Sequence, residues 1–274
     1  MFDFIKAADG SDRYSFHTHT EFCDGRSTMQ EMAEYAGAKG FSALGFSPHA
    51  PVPLESPCNM AQADFPKYIE EAERLRSMHS SLRIYIGVES DYIGRGFGPH
   101  TEDYHSRGVD YVIGSVHFVP TQKGDPVDCD GSSERFARNL HDRFGEDLRY
   151  VVEKYFAQVG EMISLGGIDM LGHADKIADN ASSVQPHIEE SGWYTDAVQE
   201  IIGEASSKGL TMEINTKKFE SRGRFFPAER WWDEVIRSGC PIVVNSDAHY
   251  ASKLESGRTE ALARLKYITS NYKP

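Results

Sequence analysis

Arg13-Tyr-Ser-Phe-His17-Thr-His19 and, after one amphipathic segment, Ala43-Leu-Gly-Phe-Ser-Pro-His49 are the stretches whose reading decides the fold. Each opens with a short run of apolar or aromatic residues, 13–16 and 43–46, of a length suited to a buried parallel strand. Each then delivers histidines at the strand's C-terminal end. Between them, Thr28 with Gln30-Glu31 offers a capping box, and Met29, Met32, Ala33 and Ala36 form an apolar stripe that stops at Gly40. Strand, helix, strand is the repeating unit of an α/β fold.

The unit recurs along the chain. Further strands are expected at 82–88, 111–115, 168–171, 210–214 and 241–244. Tyr68, Ile69, Ala72 and Leu75 mark a second helix, Val152, Phe156, Val159 and Ile163 a third, and Ala197, Ile201 and Ala205 a fourth ending near Gly209. A fifth starts at Pro227 and carries Trp231 and Val235, with Trp231 and Trp232 read as core residues. Stretches 47–63, 91–101 and 118–132 are rich in Gly, Pro and Asp and read as irregular loops following strands. No internal repeat, heptad or linker divides the chain, so residues 1–274 are expected to form one domain, a length that suits one TIM-type barrel.

Composition narrows the function. The net charge of -13 opposes binding to phosphate backbones and to anionic membranes, and no basic stripe is present. Four cysteines without a C-x-x-C pair suggest free thiols in a reducing compartment. The N-terminus lacks a basic segment followed by an apolar one, and no apolar run is long enough to span a bilayer, so a soluble, cytoplasmic protein is expected.

Of 11 histidines, His17, His19, His49, His117, His173 and His249 fall at or just after expected strand ends. Glu89, Asp24 and Asp247 complete the set. In a barrel all strand C-termini converge on one rim, where imidazoles and carboxylates suit zinc, iron or manganese. His79, His100, His105, His141 and His187 lie outside this pattern and read as surface or structural residues. Side chains two apart on a strand share a face, so His17 and His19 can serve one ion.

His17-Thr-His-Thr20 with Asp24-Gly25, Ser47-Pro-His49, Gly87-Val-Glu89, Gly114-Ser-Val-His117, Gly172-His173-Ala-Asp175 and Ser246-Asp-Ala-His249 resemble, in order and spacing, the motifs of the polymerase and histidinol phosphatase (PHP) family. Phe22-Cys-Asp-Gly25, the run from Tyr111 to Phe118 and Glu213-Ile-Asn-Thr216 resemble its histidinol-phosphatase branch. The resemblance implies a distorted (β/α)7 TIM-like barrel with a trinuclear centre. By the same resemblance, His17, His19, Glu89 and Asp247 would hold one metal, and Glu89 would bridge to a second held by His117 and His173. Asp24, His49 and His249 would hold the third; many relatives carry histidine where Asp24 stands.

The activity so implied is hydrolysis of L-histidinol phosphate to L-histidinol and phosphate, a late step of histidine biosynthesis, with a hydroxide shared by two metals as nucleophile. Asp247 or His249 would relay a proton to the leaving alcohol. Asp175 would orient a ligand. Lys176, Lys217, Arg222, Arg224 and Arg258 are candidate phosphate contacts, and Glu55 and Asp91 could meet a cationic group of the substrate. Cys23 reads as packing, lacking an activating base. Two alternatives remain open: a family phosphodiesterase or nuclease, and a metal-binding regulatory domain without turnover.

Overall fold

The computed structural model describes residues 1–271. The seven expected strands all form: β1 (Tyr14–Ser15), β2 (Ala43–Phe46), β3 (Arg83–Asp91), β4 (Tyr111–Ser115), β5 (Met170–Leu171), β6 (Thr211–Asn215) and β7 (Ile242–Asn245). They pair in chain order as one parallel sheet. β3 runs three residues beyond its expected end, to Asp91.

The sheet curls until β7 meets β1, where regular pairing stops. One parallel bridge, Thr18 to Ala248, joins the edges, and the His19 N–H donates to the Ala248 carbonyl at 2.9 Å. Side chains complete the seam. Asn245 Oδ1 accepts the Phe16 N–H at 2.8 Å, and the Tyr14 hydroxyl accepts the Val244 N–H at 3.0 Å. Buried backbone donors need partners, so these side chains close a distorted (β/α)7 barrel that backbone pairing alone leaves open.

Alternation along the strands sorts the two faces. Ile84, Ile86 and Val88 of β3 pack into the helical layer, whereas Tyr85 faces the bore with Tyr14, Phe16 and Tyr111. Tyr111 lies across the bore and its hydroxyl donates to the Phe16 carbonyl at 2.6 Å. A Cβ at Gly45 would stand 2.1 Å from the Tyr111 hydroxyl and one at Gly87 2.3 Å from its ring, so this crossing requires glycine at both places. The helix Phe4–Ala8, absent from the sequence reading, closes the floor by setting Phe4 5.3 Å from Phe16 and 5.1 Å from Tyr111.

Four expected helices form where the apolar stripes lie: Met29–Ala38, Phe65–Met78, Leu148–Leu165 and Gly192–Ser207. The first has its capping box. Thr28 Oγ1 accepts the Glu31 N–H at 3.1 Å and Glu31 Oε2 accepts the Thr28 N–H at 2.7 Å. The fifth starts later than Pro227. A 3-10 turn at Glu229–Trp231 leads into Trp232–Ser238, because the Ala228 N–H is held by the Asp175 carboxylate at 3.0 Å and the chain before it pairs with Asn215. Stretch 118–132, expected to be irregular, contains a hairpin, Phe118–Pro120 against Pro126–Asp128. Among the described residues no helix is long and apolar enough to cross a membrane.

Candidate metal centre

The nine residues expected at the strand ends meet in the mouth of the barrel, with Glu89 at their centre. Glu89 Oε2 lies 3.4 Å from His17 Nε2, 3.4 Å from His19 Nε2 and 3.0 Å from His49 Nδ1. Its other oxygen lies 2.9 Å from His173 Nε2 and 3.7 Å from His117 Nε2. Asp247 Oδ1 stands 3.1 Å from His19 Nε2, and Asp24 Oδ1 stands 3.2 Å from His249 Nε2 and 3.9 Å from His49 Nε2.

Short extensions of the sheet make these placements. His49 pairs with Glu89 as an isolated bridge, the Glu89 N–H donating to the Pro48 carbonyl and the Ala50 N–H to that of Glu89. The bridge at the barrel seam does the same for His19 and Asp247. Asp24 is brought in by a turn at Gly25, where a Cβ would stand 2.3 Å from the Thr20 nitrogen. Asp247 takes a left-handed φ of 49°, which aspartate tolerates better than most residues, and so turns its carboxylate inward as the chain leaves β7. His17 and His19 sit beyond the two-residue strand β1 on extended chain, with their Nε2 atoms 3.2 Å apart.

The donor set fits divalent metal ions. With bonds of about 2.1 Å, neighbouring ligand atoms stand about 3.0–3.4 Å apart, the spacing found around Glu89 and Asp247. Glu89 Oε2, His49 Nδ1 and Asp24 Oδ1 are buried without an aligned hydrogen-bond partner. Burial raises the Glu89 carboxyl, yet His49, His17 and His117 outweigh it and hold it well below the usual carboxylate range. Asp247 is likewise raised by burial and brought well below its ordinary value by Lys217, His17 and His19. Ionised oxygens facing imidazole nitrogens are the chemistry of such a site.

Donor atoms within 4.8 Å of one another form four overlapping groups: His17, His19 and Glu89; His19, Asp24, His49 and His249; His49, Glu89 and His117; and His17, His173 and Asp247. The first falls within the expected division, and the second holds the expected Asp24, His49 and His249 together with His19, which the division gave to another ion. The others differ from it, with His49 beside His117 and with His173 leaning towards His17 and Asp247.

The remaining candidates separate by position. Lys217 Nζ reaches the centre, 3.2 Å from Asp247 Oδ1 and 3.2 Å from His249 Nε2. Lys176 is buried nearby and paired with Asp130 at 3.1 Å. Arg222 and Arg224 line a neighbouring cavity, where Arg222 pairs with Asp179 at 3.3 Å and Arg224 with Glu189 at 2.6 Å. Arg258 does not face the mouth. It is buried at the opposite end, donating to the Val244 and Asp12 carbonyls and lying over the Tyr14 ring, so its role is structural.

Asp175 touches no candidate ligand. Its carboxyl, pushed up to about 7 by burial, holds the Ala228 N–H. Asp91 is committed to His117 Nδ1 at 2.7 Å and is therefore closed to a substrate cation, while Glu55 is exposed on the loop after β2. Burial pushes the Cys23 thiol up to about 12, and its Sγ stands 3.4 Å from His19 Nδ1, which agrees with a packing role. Of the two proton-relay candidates, Asp247 accepts from Asn215 at 3.2 Å through Oδ2 and from Lys217 through Oδ1, while His249 sets Nδ1 3.0 Å from the Asp247 carbonyl oxygen and Nε2 3.2 Å from Asp24.

A parallel barrel with a histidine and carboxylate cluster at the C-terminal ends of its strands defines a metal-centred member of the TIM-like class. The chain belongs to the PHP domain family, whose model matches residues 15–217. It is 27% identical over 263 residues, 86% of this chain and 92% of the relative, to a histidinol-phosphatase of Bacillus subtilis (strain 168). Two crystal structures share the fold. One, a candidate histidinol phosphatase from Listeria monocytogenes, has a TM-score of 0.80 at 22% identity, over 90% of this chain and 99% of that one. The other, histidinol phosphate phosphatase from Lactococcus lactis complexed with zinc, L-histidinol and phosphate, has a TM-score of 0.67 at 18% identity, over 93% of each chain.

Proposed function

We propose that this protein is a metal-dependent phosphomonoesterase that hydrolyses L-histidinol phosphate to L-histidinol and phosphate. The reading is carried by similarity to the Bacillus subtilis histidinol-phosphatase across 86% of the chain, and the full donor set at the barrel mouth agrees with it. His17, His19, Glu89 and Asp247 would hold one ion, His117 and His173 with Glu89 a second, and Asp24, His49 and His249 a third, each zinc, iron or manganese. Such ions supply Lewis acidity towards phosphoryl oxygens and a water-derived nucleophile at neutral pH.

The chain's own residues supply the rest. Glu89 turns one oxygen to His173 and the other to His49, His17 and His19, so it would be the carboxylate shared between two ions. A cleft of about 270 Å³ opens beside Asp247 and His249, lined by Lys217, Glu220, Ser221, Tyr250 and Lys253, a size suited to a small ligand. Lys217 stands where cleft and centre meet and would bind the phosphate as a point charge. His249 turns Nε2 towards Asp24 and Lys217, so that nitrogen would serve the third ion and leave the alcohol's proton to another donor. The four free cysteines suit a reducing compartment, the cytoplasm.

Phosphate release from histidinol phosphate, other phosphomonoesters and a dinucleotide, each with and without chelator, tests the reading. Elemental analysis of the same preparation counts and identifies the metals. Metal-dependent turnover greatest with histidinol phosphate is expected; preference for the dinucleotide, or no turnover with any ester, overturns it.

A further inference from the structure

The bore contains a second buried glutamate, Glu213 on β6, which is fully enclosed. Its surroundings are opposite in kind to those of Glu89. Oε1 lies 2.8 Å from His17 Nδ1 and accepts from Asn245 Nδ2 at 3.0 Å. Oε2 accepts the His173 backbone N–H at 3.0 Å and Asn215 Nδ2 at 3.1 Å. The two oxygens of an ionised carboxylate accept about four hydrogen bonds, so Glu213 has nothing left to give a metal.

Each of the four donors leads to the centre. A carboxylate against His17 Nδ1 holds the proton on that nitrogen and leaves the Nε2 lone pair aimed at Glu89 and His19. The His173 N–H fixes the backbone that carries another donor ring. Asn215 Nδ2 also donates to Asp247 Oδ2 at 3.2 Å, and Asn245 Oδ1 accepts the N–H of Phe16, the residue before His17. One carboxylate thus joins the ends of β1, β5, β6 and β7, across the seam where the barrel lacks a backbone ladder.

We propose that Glu213 is the positioning residue of the centre: it sets the His17 tautomer and, through Asn215 and the His173 backbone, the places of Asp247 and His173, without touching metal or substrate. The proposal rests on reading the mouth as a metal centre.

Zinc retention against a graded chelator, read on the zinc-loaded full chain, tests it independently of the substrate. In Glu213→Gln one acceptor becomes a donor facing donors, and zinc is expected to be lost about 10- to 100-fold more readily. The maximal rate should fall with KM unchanged, and proton-nitrogen NMR of the imidazoles should lose the Nδ1–H signal of one buried histidine. Unchanged zinc retention and tautomer, with only a lowered melting temperature, overturn the proposal by reducing Glu213 to a brace. Should Glu213→Gln not fold, Asn215→Ser removes the link to Asp247 while sparing His17; it is expected to weaken zinc retention severalfold, and unchanged retention overturns the proposal. A wild-type chain that holds no zinc, iron or manganese instead overturns the reading of the mouth.

Discussion

The mouth and the floor of the barrel are about 13 Å apart along β3, the rise of four residues from Tyr85 to Glu89, and are built from opposite materials. At the floor, Phe2, Phe4, Phe16, Tyr85 and Tyr111 form one cluster of rings, Phe2 meeting Phe4 at 4.8 Å and Tyr85 at 5.2 Å edge to face. Burial itself stabilises that end, because apolar surface leaves water. At the mouth, the equally buried carboxylates of Glu89 and Asp247 are held well below their ordinary range, and each needs a compensating charge or donor. The floor is therefore expected to set stability, and the mouth to set chemistry.

The largest effect should come from Glu89→Gln. Loss of the central charge is expected to lower turnover about a thousandfold, about 4 kcal/mol of barrier, while circular dichroism reports an intact fold; retained turnover would remove Glu89 from the bridging position. Phe4→Ala should act in the opposite sense, costing about 3–5 kcal/mol in denaturant unfolding with activity per folded molecule unchanged. A fall in that specific activity would break the division between the two ends.

Next in size are two of the five cations that the sequence offered as phosphate contacts. Lys217→Ala is expected to raise KM for a phosphomonoester roughly tenfold, about 1.4 kcal/mol. Arg258→Ala should leave KM alone and lower the melting temperature, and steady-state kinetics with thermal melts separate the two. Smallest is Thr28→Ala on the outer layer, expected to cost about 1 kcal/mol of stability through the lost cap, with kinetics unaltered.

Most of the barrel was legible because a buried parallel strand is a short apolar run and an outer helix a 3.6-residue stripe. The helix Arg258–Asn271 was not read although Ala261, Leu265 and Ile268 recur at helical spacing and pack with Phe225 and Trp232; the stripe is narrow, only Ala261 of it being fully buried. Ser133–Phe144 did carry a signal, Phe136, Leu140 and Phe144 at four-residue intervals, directly after the stretch 118–132 that Gly, Pro and Asp make look irregular. Eight of the nine centre residues were legible because each lies at or just after a strand end, and Asp24 because it falls in the motif that follows His17 and His19. Glu213 stood only within the motif Glu213-Ile-Asn-Thr216 and was given no role of its own, because its partners His17 and Asn245 are 196 and 32 residues away.

By itself, then, the chain's sequence determined the order of strands, the rim on which the histidines and carboxylates gather, and the kind of chemistry those groups support. These follow from local periodicity and residue type. Which glutamate stays open and which is saturated, that Lys217 reaches the centre while Arg258 lies at the far end, and how β7 meets β1 were decided only in the tertiary structure. Each depends on hydrogen bonds between residues far apart in the chain, and no local pattern encodes the partner of a buried charge.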